Sequence, residues 1–194
     1  MALIDVVLFL HISVAIAAFA LSGVVHTSEW LLKRSSTAGE ALRMAKVQRL
    51  APLFSVLIVL LLGLGSWLVY LSEDPDKFSF GDPFVYTALV VLAVVFVDGP
   101  VILGKHGKAL GSALAQSPDG TITAQARALM DQPLPPIVSY ANTFVVLAVV
   151  FDMAVKPSLV ECLAAIAVGL ALGVWVGVVS ARPVLSKSAA AGHA

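Results

Sequence analysis

The chain is short of charge. Only 12% of its 194 residues are Asp, Glu, Lys or Arg, about half the share found in soluble domains. Cys162 is its one cysteine, which excludes an intramolecular disulfide and any CxxC or CxxCH motif. Basic and acidic residues balance at 12 each, so no basic excess argues for a nucleic-acid partner. No nucleophile elbow, Walker loop, HExxH pair or dinucleotide fingerprint occurs, and no repeat of solenoid length. The N-terminus lacks a basic region and a small-residue cleavage site ahead of its apolar run. Met1 onward therefore reads as mature chain, with the first span acting as its own insertion signal.

Long blocks of Val, Leu, Ala and Ile take the place of charge. The chain is 59% hydrophobic, with a mean hydropathy of +0.97. These values specify an all-α, polytopic integral membrane helical bundle. A helix crossing roughly 30 Å of hydrocarbon needs about 20 apolar residues. Segments 4–25, 52–71, 84–104, 136–155 and 158–181 meet that length. A four-span alternative treats 144–180 as one interrupted span plus an interfacial piece, but the Lys156-Pro157 break favours five. Residues 1–183 form one transmembrane domain. The low-complexity tail 184–194, which contains His193, is expected to be disordered.

Orientation follows from the basic residues. Lys33, Arg34, Arg43, Lys46 and Arg49 lie between spans one and two, and Lys105, Lys108 and Arg127 between three and four. Arg182 and Lys187 follow span five, on the same side. The opposite side has Lys77 and Lys156 among Asp5, Glu73, Asp74, Asp76 and Asp82. The N-terminus is expected outside and the C-terminus in the cytoplasm. Residues 37–50 read as a basic amphipathic segment that lies on the cytoplasmic surface or extends span two inward. In the 105–135 connection, "SPDG" reads as a turn, "TITAQARALMDQ" as a short surface helix and "PLPP" as a stiff re-entry.

Gly169, Gly173 and Gly177 form a GxxxGxxxG stripe in span five, which lets a helix approach closely. The partner is a helix of this chain or, as expected for a homo-oligomer or membrane complex, another subunit. Gly63 and Gly65 are weaker signals of the same kind. Trp30, Trp67, Tyr70 and Tyr86 fit aromatic belts at the lipid boundary.

Ionisable groups inside spans are costly and mark candidate sites. His11, Asp152, Met153, Glu161 and Cys162 reach similar depth in the outer half, a mixed ligand set suited to copper or another transition metal. Each has a plain alternative. Asp152 pairs with Lys156 four residues on, and Glu161 favours the start of span five through the helix dipole. In the inner half lie Asp98 of span three, with Tyr140 and Asn142 of span four. His26, Glu29 and His106 lie at the inner boundary. About 22 Å of helix separates His11 from His26, so they serve different sites. His26 and His106 come from two helices at matching depth, as a bis-imidazole haem needs; otherwise they face headgroups or water. Glu29 is placed to hold the tautomer of His26. Pro100 cannot donate four residues back, so the helix bends or opens beside Asp98. There Asp98 pairs with a histidine, carries protons, or is satisfied by Tyr140 or Asn142.

The opening "LHISVAIAAFALSG" resembles the first span of a group of small bacterial membrane proteins. The group includes the copper-resistance CopD type, the HemJ-type protoporphyrinogen oxidases and predicted integral membrane proteins. Similarity continues more weakly in the basic first loop and in "LLLGLGSW". The HemJ-like relatives imply a haem-linked role with His11 as a ligand, and the CopD-like relatives imply copper handling. The chain departs from both in having Ala15, Ala17 and Ala18 after the histidine, and it has no Met-rich stretch. Together these readings lead to a bacterial inner-membrane protein binding haem b through His11 or the His26/His106 pair. It would act in electron transfer or haem-linked redox chemistry, with Asp98, Glu29, Asn142 and Tyr140 as proton-handling or supporting groups. The alternative is a membrane subunit or a small-solute or copper transport accessory without a cofactor.

Overall fold

The structure, a computed structural model, describes residues 2–72, 79–117 and 120–182. The expected tail with Lys187 and His193, the outer charges Glu73, Asp74, Asp76 and Lys77, and Pro118-Asp119 of the turn lie outside the described residues. Among the described residues the chain is all-helical. Five of its helices or helix runs are long and apolar enough to cross a membrane.

The first, α1 (Leu3–Arg34), is one unbroken helix through the opening stretch. The basic segment after it forms α2 (Ala38–Val47), capped by Thr37, whose hydroxyl accepts from the Glu40 amide at 3.2 Å. Glu40 in turn accepts from the amide and hydroxyl of Ser36, both at 3.1 Å. A 3-10 turn (Gln48–Leu50) joins α2 to α3 (Ala51–Leu71), so this segment extends span two. Pro52 sits in the first turn, where its missing N–H costs no helical bond.

Span three begins as α4 (Pro83–Asp98) and opens into a π-helical segment (Gly99–Gly104). Pro100 has no N–H to close the α-helical ladder, so the turn widens instead of breaking. The helix then continues as α5 (Lys105–Ala115). The 105–135 connection is thus mostly helical, since nothing after Gly104 stops a sequence rich in Ala, Leu and Lys. α6 (Ala124–Met130) is the short helix expected from "TITAQARALMDQ", with Thr123 as its cap. "PLPP" is no extended re-entry: Pro135 and Pro136 lie in the first turn of α7 (Leu134–Val155), where prolines are tolerated. Lys156 adopts a left-handed conformation with φ of 53° and ends α7. After Pro157, α8 (Leu159–Ala181) begins.

Outward faces carry Phe9, Ile16, Val90, Val168 and Trp175, each at least 60% exposed. Bare apolar surface of this extent suits lipid rather than water. One end of the bundle gathers α2, α5 and α6 around Leu32, Ala41, Leu110, Leu114 and Met130. This end also carries Lys33, Arg34, Arg43, Lys46, Lys105, Lys108 and Arg127, and is the basic end below. The middle of the bundle is an apolar layer of Ala18, Ile58, Leu61, Leu92, Val95 and Val146.

The tightest contact joins α7 and α8. Gly169, Gly173 and Gly177 are buried against α7 of the same chain. The stripe is therefore spent inside the chain, and the expectation that it joins a second subunit is corrected. A Cβ on Gly177 would lie 2.5 Å from the Ile137 Cα, closer than real atoms approach, so backbone meets backbone at the stripe.

Candidate functional site

The polar residues of the bundle fall into two layers on either side of the apolar middle. The layer toward the basic end is built by α1 and α7. Successive polar positions on one face of α1 place Ser22, His26 and Glu29 toward the bundle. They meet the run Ser139, Tyr140, Asn142 and Thr143 on α7. His26 Nε2 lies 2.9 Å from Thr143 Oγ1, and Ser22 Oγ lies 2.7 Å from the same atom. The Tyr140 ring stacks on the imidazole, with centroids 3.9 Å apart and planes 8° from parallel. His26 Nδ1 faces Glu29 Oε2 at 3.5 Å, an ion-pair distance without hydrogen-bond alignment.

Proton positions follow from these partners. Thr143 Oγ1 donates to the Ser139 carbonyl at 3.1 Å, and a carbonyl only accepts. A Thr143 hydroxyl that donates there is left to accept from Ser22 and from the Nε2–H tautomer of His26. The Nδ1 edge then faces a carboxylate. A proton on that edge would turn the contact into an ion pair.

Beside this pair Asn142 Nδ2 donates to Asp98 Oδ1 at 2.9 Å. Asp98, at the mouth of the π-helical segment, is thus held by Asn142 and not by a histidine, while Tyr140 serves His26. Glu29 also forms part of the wall of a cavity of about 730 Å³ at the basic end, together with Lys33, Lys46, His106, Lys108 and Gln132. His106 Nδ1 contacts Gln132 Oε1 at 3.1 Å. Lys33 Nζ donates to the Ser180 carbonyl at 3.2 Å, which ties α1 to the last turn of α8.

The polar layer away from the basic end is more dispersed. The His11 imidazole sits on α3 against Gly65, where a Cβ would lie 3.2 Å from Cε1. Its Nδ1 is buried without a hydrogen-bond partner. Asp152 and Cys162 are both buried, at 1% and 0% exposure, and neither Asp152 oxygen is hydrogen-bonded. Cys162 belongs to an apolar cluster with Phe84 and Val85, against which Met153 packs. Glu161 turns away from them: exposed, it accepts from the amide and hydroxyl of Ser158, both at 2.8 Å, in a capping box that starts α8. The four outer candidates His11, Asp152, Glu161 and Cys162 are not brought to one point. Among the described residues no group of three His, Cys, Asp or Glu side chains is placed to hold a metal ion.

A bis-imidazole haem needs two histidines presenting open nitrogens to one iron. His26 spends Nε2 on Thr143, turns Nδ1 to Glu29 and has a ring face covered by Tyr140, so its geometry does not suit that role. His11 keeps a buried Nδ1 without a hydrogen-bond partner, a nitrogen of the kind a haem iron takes. Ser22, Thr143, Ser139 and Gln132 were not singled out from sequence. Ser22 sits four residues before His26, and Thr143 directly follows Asn142. Helical spacing from His26 was a signal that could have found Ser22. No family model, curated protein or solved structure matches the chain.

Proposed function

We propose that the chain is a multi-pass protein of a bacterial cytoplasmic membrane that handles protons in its inner polar layer, in support of a redox or transport step. Its N-terminus lies outside and its C-terminus in the cytoplasm, an orientation that rests on the basic residues gathered at one end. The observation that carries the reading is the pairing of His26 Nδ1 with Glu29 Oε2 at 3.5 Å. Glu29 reaches the cavity at the basic end, while Thr143 links His26 inward to Ser22. Ionisable groups at membrane depth that pair with one another are typical of proton relays. The apolar layer of Ala18, Leu61 and Val146 stops the relay at Ser22, so a proton enters and leaves at the cytoplasmic face.

Nitrogen NMR of histidine-labelled protein tests this, with His26→Phe assigning the signal. The His26 nitrogen shifts are expected to change in Glu29→Gln, which removes the carboxylate that faces Nδ1 at 3.5 Å. A His26 spectrum unaltered by Glu29→Gln would overturn the reading.

A second reading is favoured by the unbonded nitrogen of His11 and its seat on Gly65. Here His11 would be the residue that holds haem b. Bound haem supplies one-electron redox chemistry, and the chain's part is to fix the imidazole ring against α3. Purified protein is then expected to show a Soret band that His11→Ala abolishes and His26→Phe leaves in place. Colourless protein from haem-replete cells would sink this reading and leave the proton relay standing.

A further inference from the structure

Two sets of glycines in this chain behave in opposite ways. At Gly169, Gly173 and Gly177 an added Cβ would strike the backbone of α7. At Gly104, Gly107 and Gly111 it would meet nothing within 4 Å. Apart from proline, glycine is the least favourable residue in a helix interior, and among the described residues no close packing requires it at these three positions. Their spacing of three and four residues keeps them on one face, and all three line the 730 Å³ cavity at the basic end. The glycine face therefore leaves space for something outside the chain.

The rest of the lining indicates what fills it. Lys33, Lys46 and Lys108 stand against one carboxylate, Glu29. Lys46 and Lys108 are exposed, so their ammonium groups lie at the rim. Most of the remaining wall is apolar, including Leu32, Leu42, Leu103 and Met130. Trp30 and Arg34, stacked at 3.7 Å in the last turns of α1, mark this end as the edge of the lipid. An occupant with a negative head and an apolar body matches both parts of the wall, whereas a free inorganic anion would leave the apolar part wet. Basic pockets between helices at this depth hold anionic headgroups.

We infer that the cavity is a binding site for an anionic phospholipid. Its phosphate lies between Lys46 and Lys108 and its acyl chain runs along the Gly104/Gly107/Gly111 wall. The inference does not rest on the pairing of His26 and Glu29, since none of these five residues belongs to that pair.

Native mass spectrometry of the delipidated, detergent-solubilised full chain tests it. The probes are phosphatidylglycerol and phosphatidylcholine with the same acyl chains. Phosphatidylglycerol is expected to be retained about ten-fold more strongly, as headgroup charge selection requires. The double variant Lys46→Gln/Lys108→Gln should remove most of that preference. Gly107→Leu, which fills the space without touching a charge, should reduce retention of both lipids. Equal retention of the two lipids, or retention unaffected by Lys46→Gln/Lys108→Gln, would overturn the inference. So would displacement of phosphatidylglycerol by millimolar inorganic phosphate, which would assign the basic rim to a free anion. A Gly107→Leu variant that keeps full retention and a wild-type melting curve would also overturn it, because the glycine wall would then not be part of the site.

Discussion

Gly173→Val is expected to part α7 from α8 and lower the thermal midpoint of the purified protein by about 10 °C. A Cβ at this position would lie 2.6 Å from the Ala141 Cα, 2.7 Å from the Tyr140 carbonyl oxygen and 2.9 Å from the Ala141 nitrogen. All three are backbone atoms, so no side chain can rotate away and the helices must separate. Overpacking of this kind costs about 3 kcal/mol, and each kcal/mol shifts the midpoint of a chain this size by roughly 2–4 °C. The loss should reach the polar layer too. Ala141 lies between Tyr140 and Asn142, so displacing α7 there moves the ring stacked on His26 and the amide bonded to Asp98. Gly63→Ala is the control, because its Cβ would meet nothing within 4 Å and alanine is the better helix former. Its midpoint should stay level or rise slightly. A Gly173→Val midpoint equal to that of Gly63→Ala would refute the close packing of α7 and α8.

Thr143→Val should be the most damaging substitution in the polar layer. Valine keeps the shape but removes the oxygen bonded to both Ser22 and His26. An orphaned buried donor costs roughly 1–3 kcal/mol in proteins generally. Hydrogen bonds between membrane helices average nearer 0.6 kcal/mol, so two losses together come to about 1 kcal/mol. Thr143→Ser should retain nearly all of that stability. Adding Ser22→Ala to Thr143→Val should recover part of the loss, since one orphaned hydroxyl then disappears. Thermal melts of the three variants check the pattern. A double variant less stable by the full sum of both single losses would show that Ser22 and Thr143 do not share a hydrogen bond.

Much of the fold was legible because its causes are local. The five spans follow from runs of Val, Leu, Ala and Ile long enough to satisfy every backbone group inside lipid. The opening beside Asp98 was legible from Pro100, which lacks the one N–H the ladder needs there. Glu29 beside His26 was legible from a spacing of three residues on one helix. The continuation of α4 through the π-helical segment into α5 was harder to read. The end of hydrophobicity at Gly104 marks where apolar side chains stop, and a helix with a polar exterior can continue past it.

The site was legible residue by residue but not as an arrangement. Sequence placed His26, Tyr140, Asn142, Asp98 and Glu29 at one end of the bundle, and there the structure finds them. It did not tell that Tyr140 stacks on His26 while Asn142 takes Asp98, or that Glu161 turns outward to cap its own helix. Such choices depend on how each helix is rotated about its axis, which depth along a span does not determine.

By itself, then, the sequence determined what is written in single segments: helices of membrane length, their breaks and caps, and the depth of each ionisable group. Tertiary structure alone decided which groups meet. It lodged the glycine stripe of α8 against α7, seated His11 on Gly65, and joined Ser22, His26 and Thr143 across two helices. It also separated glycines that are jammed from glycines that border open space. The reason is physical: hydropathy and propensity act along the chain, whereas hydrogen bonds and close contacts in lipid are made between helices. Their rotation and distance are set by the packing of the whole bundle.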